Sequence, residues 1–171
     1  MTPGRDEFRQ VMGRFATGVT VVTSRLGGEL HGMTANALTS VSLEPPLVLV
    51  CIARSADSHD IIDKSGIFAL SILGWDQEAL SVHFAVKDPA GAHRLDDVPY
   101  NTGATGAPII DGSVAYVDCR VVERFPGGDH TIFVGEVVDC GRLNDREPLI
   151  FFQGAYARLA GPPLAEEDDR V

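Results

Sequence analysis

Apolar and polar positions change period several times along the chain, and each change marks an element. Phe8, Val11, Met12 and Phe15 recur at helical spacing behind Thr2-Pro3, which offer an N-cap and a first helical residue. A short helix over about 3–15 is therefore expected, with this stripe turned inward. Gly18 ends the period. Val19 to Thr23 is β-branched throughout, Gly27-Gly28 supplies a turn, and Leu30 to Ala37 completes a β-hairpin. After Pro45-Pro46 the run Leu47 to Ala53 is apolar without alternation, the pattern of a core strand packed on both faces.

Asp57 or Ser58 can cap a helix that runs through Ile61 and Ile62 to Lys64 and stops at Gly66. Phe68 to Leu73 returns to strand, and another helix is expected from Asp76 to about Ala85, with Leu80 and Phe84 on one face. Lys87 to Gly106 carries Gly, Pro, Asp and Asn without a period and reads as a surface loop of functional size, with Arg94-Leu95 able to dock locally. Val114 to Phe125 and Thr131 to Cys140 are long β-rich runs joined by Pro126-Gly127-Gly128-Asp129, and Leu149 to Phe152 is a last short strand. About seven strands follow one another through hairpin-like turns, without the regular helix insertions a parallel sheet requires. The expected fold is mainly β, an antiparallel barrel or sandwich with two or three short helices.

Composition narrows the function classes. With 171 residues and 44% apolar content, the chain is long enough for one compact domain and short for two, so residues 1–160 are taken as the domain. Four acids lie in the last six residues behind Pro162-Pro163, so 161–171 is expected to be an acidic, solvated tail. The formal charge of −10 opposes nucleic acid and anionic membranes as partners. No apolar run nears the roughly 18 residues of a membrane span, and the first residues lack a signal-peptide pattern, so a cytoplasmic protein is expected. Cys51, Cys119 and Cys140 are odd in number, lack CxxC spacing and sit in strand-like runs, which favours small reduced core residues over catalytic thiols. The five histidines show no HxH or HExxH spacing, so no metal centre is expected.

Three stretches carry candidate chemistry. Gly32-Met33-Thr34-Ala35-Asn36-Ala37, followed by Thr39, Ser40 and Ser42, puts small side chains, hydroxyls and an amide on a hairpin strand. A flat ligand with a polar edge can approach such a backbone, although an ordinary small-residue strand crossing gives the same pattern. Ala53-Arg54-Ser55-Ala56-Asp57-Ser58-His59 leads from the apolar strand into a helix start, where backbone N–H groups, hydroxyls and a guanidinium can converge on a phosphate. A plain helix cap with a solvated Arg54 satisfies the residues equally well. Ser58-His59-Asp60 is rejected as a hydrolytic triad, because neighbours at a helix start point in different directions. Gly127-Gly128-Asp129-His130-Thr131 delivers one histidine at a strand mouth, where it can donate to a carboxamide or phosphate. Neither GxGxxG nor GxxxxGK[ST] occurs, so any dinucleotide binds without a Rossmann or P-loop motif.

Taken in order, these stretches resemble the flavin reductase-like, FMN-binding split-barrel proteins, the small components of two-component flavin-dependent monooxygenases. The resemblance is carried by Gly18 to Thr23, Gly32 to Ala37, Thr39 to Val50, Ser65 to Leu73, Gly127 to His130 and Pro148 to Tyr156, and spans roughly residues 5 to 160. It implies an antiparallel Greek-key split β-barrel with a few short α-helices, assembled as a homodimer. It also implies FMN or FAD as flavin, reduced by NADH or NADPH and passed to a partner monooxygenase. By position, Thr34, Ala35 and Asn36 would border the isoalloxazine ring, with Ser40 and Ser42 near it. Ser55, Ser58 and His59 would hold the ribityl phosphate, with Arg54 or Arg94 as charge partner, and Met33 and Ala53 would also belong to the cofactor site. His130 would position the nicotinamide, and Phe84 and Tyr156 would wall the pocket. The competing readings are a flavin- or haem-binding split barrel without NAD(P)H turnover, and a hydrolase using Ser58, Cys51 or His130.

Overall fold

The computed structural model describes residues 2–86 and 95–161. The helix α1 (Arg5–Met12) is followed by β1 (Thr17–Gly18), β2 (Thr20–Leu26), β3 (Glu29–Ala35), β4 (Leu38–Leu43) and β5 (Pro46–Ala53). Then come α2 (Asp57–Ser65), β6 (Ile67–Ile72), a 3-10 turn (Trp75–Gln77) and α3 (Glu78–Ala85). The chain continues through β7 (Tyr100–Thr102), β8 (Pro108–Ile110), β9 (Ala115–Gly127), β10 (His130–Arg142), β11 (Ile150–Phe152) and β12 (Ala155–Ala157).

Seven strands form one antiparallel sheet in the order β3-β2-β6-β9-β10-β5-β4. Its two edge strands, β3 and β4, are joined only by Asn36 and Ala37. Such a link spans about 10 Å at most. The sheet must therefore curl until its edges approach, which makes a barrel with one seam lacking a ladder. The expected antiparallel split barrel is thus the observed architecture. Inside it Val22, Val50, Ile52, Phe68, Leu70, Cys119 and Phe133 pack around Ile62 of α2. On the outer face Val19, Val21, Leu73, Leu95, Ile110 and Leu149 pack around Phe84 of α3.

β2 lies between these two clusters, and its first five residues are all buried. Its polar members are satisfied: Thr20 donates to the Ala35 carbonyl (2.7 Å), Thr23 to that of Pro108, and Ser24 to that of Ile67 (2.8 Å). β5, the expected two-sided core strand, buries only Val50 and Ile52, while Leu47, Val48, Leu49 and Cys51 stay half-buried. It neighbours the edge strand, and its outer face lacks cover from its own chain. The stripe on α1 is likewise corrected: Phe8, Val11, Met12 and Phe15 are exposed, and the helix starts after Gly4, not at Thr2-Pro3.

β1, β4, β8 and β12 go beyond the expected strands. The expected loop contains β7, which pairs with β8 just beyond the loop's end, and Leu95, buried in the outer cluster. Asp118, fully buried, organises that hairpin's turn by accepting from Thr105 N (2.7 Å) and Thr105 Oγ1 (2.5 Å). Of the cysteines, Cys119 is buried, Cys51 is half-buried and Cys140 is exposed, so the expectation of core residues holds fully for Cys119 alone. Residues 87–94 and the tail from 162 lie outside the described residues.

Candidate active site

α2 begins without a side-chain cap. Ala56 occupies the N-cap position, where Asp57 or Ser58 was expected, and no side chain accepts from the first-turn N–H groups. A helix end left in this way presents donors and a positive dipole end to an anion. It opens into a cleft of about 290 Å³ lined by Met33, Thr34, Ser55, Ala56, Asp57, Ser58, Phe84 and Ala85. The first two stretches singled out in the sequence therefore meet at one place.

The cleft's far wall is set by β3 and α3. Gly32 and Thr34 share a face through strand alternation, and both are turned to α3. A Cβ on Gly32 would stand 2.7 Å from Phe84 Cε1, so the glycine is required by the ring rather than by a ligand. Thr34 donates to the Ser81 carbonyl (2.6 Å), and Ser81 Oγ meets the Tyr156 hydroxyl (2.8 Å). Tyr156 thus supports α3 from behind and is not among the residues lining the cleft. Ala35 is buried, and Asn36 donates to Thr17 Oγ1 (3.0 Å). Ser40 and Ser42 lie on edge strand β4, away from the cleft lining.

The third stretch joins through strand register. His130 pairs with Ala53 across β10 and β5, and Arg54 N donates to the Asp129 carbonyl (3.0 Å). Gly128, with φ of +68°, is the first central residue of this two-residue hairpin turn, where glycine avoids strain. The half-exposed His130 ring is held by Asp129, Nδ1 to Oδ1 at 2.7 Å, and this contact keeps the Asp129 carboxyl below the usual carboxylate range. Arg54, which precedes the cleft-lining Ser55, is exposed and forms no ion pair among the described residues.

Two residues of the phosphate-type stretch turn their side chains inward. Ser58 is 3% exposed and bonds His31 Nδ1 at 2.7 Å, while His59 Nε2 meets Thr131 Oγ1 at 2.8 Å. Arg94 lies outside the described residues. Ala56 and Asp57 of the phosphate-type stretch and Ala85 of α3 also line the cleft, although none of the three is among the expected cofactor-binding residues; the two alanines carry no chemical signal. Among the described residues no group of three or more His, Cys, Asp or Glu is placed to hold a metal ion, and no helix is long and apolar enough to cross a membrane.

Comparison with known proteins gives consistent matches. The family model described as flavin reductase like domain matches residues 12–160. The NADH-dependent FAD reductase of Streptomyces globisporus is 45% identical over 165 residues, 95% of this chain and 89% of its own length. The reductase component of 4-hydroxyphenylacetate 3-monooxygenase from Thermus thermophilus is 39% identical over 158 residues, 92% of this chain and 99% of its own length. Among solved structures, that of the Streptomyces globisporus C-1027 NADH:FAD oxidoreductase has a TM-score of 0.88 at 44% identity, covering 92% of this chain and 94% of that one.

Proposed function

Since the chain belongs to the flavin reductase-like family, we propose that it is an NADH-dependent flavin reductase that supplies reduced FMN or FAD to a partner monooxygenase. The observation that carries this reading is the meeting of the uncapped α2 start and the β3–α3 wall at one open cleft, with the Asp129-His130 turn tied to the strand that leads into its Ser55 side through the Ala53–His130 pair. The residues fit a flavin. The first turn of α2, with Ser55 and Arg54, suits a phosphate; Met33, Thr34 and Phe84 suit a flat ring.

A flavin held there would supply the hydride acceptor for a reduced nicotinamide. The chain's part is positioning. The α2 N–H groups, Ser55 and Arg54 anchor the phosphate end; the Met33–Thr34 backbone and Phe84 orient the ring. Asp129 fixes the His130 ring so that its outer nitrogen can hold the nicotinamide carboxamide. No side chain is required to move a proton to the reacting carbon. A cleft of about 290 Å³ would suit a flavin that must leave.

A homodimer completes this reading. Phe8, Val11, Met12 and Phe15 on α1, Val41 and Leu43 on β4, and the outer face of β5 are apolar and lack cover from their own chain. A second copy burying about 800 Å² per partner would cover them. Sedimentation at micromolar concentration tests this; a monomer overturns it.

For the activity, the purified protein is mixed anaerobically with NADH and each flavin in turn. Flavin bleaching with catalytic turnover is expected. Tight flavin or haem binding without NADH oxidation would instead favour a binding module.

A further inference from the structure

The residues at the start of α2 divide their labour. The backbone faces the cleft, while consecutive side chains bolt the turn to two strands: Ser58 to His31 of β3 and His59 to Thr131 of β10. Thr131 directly follows His130. Side chains alternate along a strand, so whatever holds Thr131 toward α2 holds His130 toward the opposite face. His59 is held by Thr131 and by packing: its side chain is 15% exposed and its ring meets Phe133 edge-on at a centroid distance of 5.4 Å, while its Nδ1, 3.5 Å from Asp60 Oδ1, makes no hydrogen bond among the described residues. Phe133, two residues beyond Thr131 on the same face, is fully buried.

We infer that His59 is a positioning residue for His130: through Thr131 it fixes the start of β10 relative to the phosphate-anchoring turn of α2. His59 then does not touch the flavin phosphate. It links the element that anchors the flavin to the element that presents the nicotinamide-binding ring, so that both are held in one register. This rests on the reading of His130 proposed above.

The test uses Thr131→Val, which keeps the shape and removes the hydroxyl, Thr131→Ser, which restores it, His59→Ala, and the Thr131→Val/His59→Ala double variant. Thr131→Val should raise the KM for NADH roughly three- to tenfold, the range a single net hydrogen bond contributes. The flavin Kd, from fluorescence quenching, should stay within about twofold. Thr131→Ser should return the KM to the wild-type value. His59→Ala should match Thr131→Val, and the double variant should be no worse than either, as two ends of one contact require. In the flavin-free protein, the His130 imidazole NMR signals should shift in Thr131→Val and return in Thr131→Ser.

A Thr131→Val variant with wild-type KM and unmoved His130 signals overturns the inference. So does a His59→Ala variant that loses flavin affinity tenfold while Thr131→Val keeps it, since His59 would then be a phosphate ligand. His130→Ala in the same assay separates the two readings. If it leaves the NADH KM unchanged while Thr131→Val still moves the His130 signals, the nicotinamide role of His130 fails and the His59–Thr131 positioning stands.

Discussion

Gly32→Ala is the most direct probe of the cleft wall. An added Cβ would lie 2.7 Å from Phe84 Cε1, 3.0 Å from Cδ1 and 3.3 Å from Cζ. Carbon atoms rest at about 3.5–4.0 Å, so the ring edge must retreat by about 0.8 Å. Phe84 is 2% exposed and is hemmed in by Val21, Leu73, Leu95 and Ile110, which leaves it no free direction. Overpacking of this kind costs about 1–3 kcal/mol. Removing glycine from a strand gains about 0.5–1 kcal/mol by itself, so the net effect remains destabilising. Because Phe84 and Ala85 line the cleft, a displaced ring should also weaken flavin binding several-fold. Phe84→Ala alone should cost about 3–5 kcal/mol. In the double variant the new methyl enters vacated space, so the loss should fall short of the sum by about 1–3 kcal/mol. Urea unfolding of the four flavin-free proteins measures this cycle. A Gly32→Ala protein with the wild-type midpoint, or strictly additive losses, refutes the assignment of Gly32 to packing.

Thiol labelling at pH 8 should modify exposed Cys140 first and Cys51, raised by burial, more slowly; Cys119, pushed up to about 12 chiefly by desolvation, should react only on unfolding. Mass spectrometry of labelled peptides checks the order, and equal rates for Cys119 and Cys140 would contradict it. Asp118→Asn sets an amide N–H₂ against the Thr105 donors and should cost about 1–3 kcal/mol, with faster hydrogen exchange from Gly103 to Ala107. Unchanged exchange there would show that the carboxylate does not hold the turn. The Asp129 carboxyl should titrate below the usual range, chiefly through its hydrogen bond to His130, and His130→Ala should move it back up in a carbon-detected NMR titration. The sign follows from a lowered folded-state pKa: the contact's contribution is present above the ordinary carboxylate range and is lost as pH falls through the Asp129 titration.

Element type was legible wherever period and length were strong. β9 and β10 reach 13 residues each with β-branched residues on both, and their limits fall within a few residues of those expected from the pattern. Gly66 closes α2 in the left-handed region at φ of +68°, as its position after Lys64 implied. Strands of three residues, β7, β8 and β12, are too short to establish a period, and tertiary contacts make them: Ser71 Oγ accepts from Ile110 N (3.0 Å), and Asp118 ties down the turn. The direction of an amphipathic face is a different quantity from its existence. The α1 stripe has helical spacing, yet spacing cannot say whether the cover comes from the same chain or another. The same limit misplaced the two-sided burial. Leu47 to Ala53 is the more apolar run, but β2 sits between two packed clusters because its threonines and serine find carbonyls, and the outer face of β5 meets none of its own chain.

The site was legible as residue types and not as directions. Ser55, Ser58 and His59 all belong to a stretch that suits a phosphate, but helix geometry sends successive side chains to different sides: Ser55 and Ser58 line the cleft, whereas His59 is turned to Thr131. Ser58 also bonds His31 and His59 meets Thr131, so both side chains tie the turn to neighbouring strands. A sequence reading that counts hydroxyls near a helix start does not carry these directions. It also cannot join Ala53 to His130, because their pairing across β5 and β10 depends on a register set by Phe133 and Val50 in the barrel interior. A one-residue slip of that ladder would turn His130 inward and Thr131 outward, exchanging the presented group for the buried one. The core therefore fixes the chemistry: the burial of Phe133 selects the face on which His130 stands.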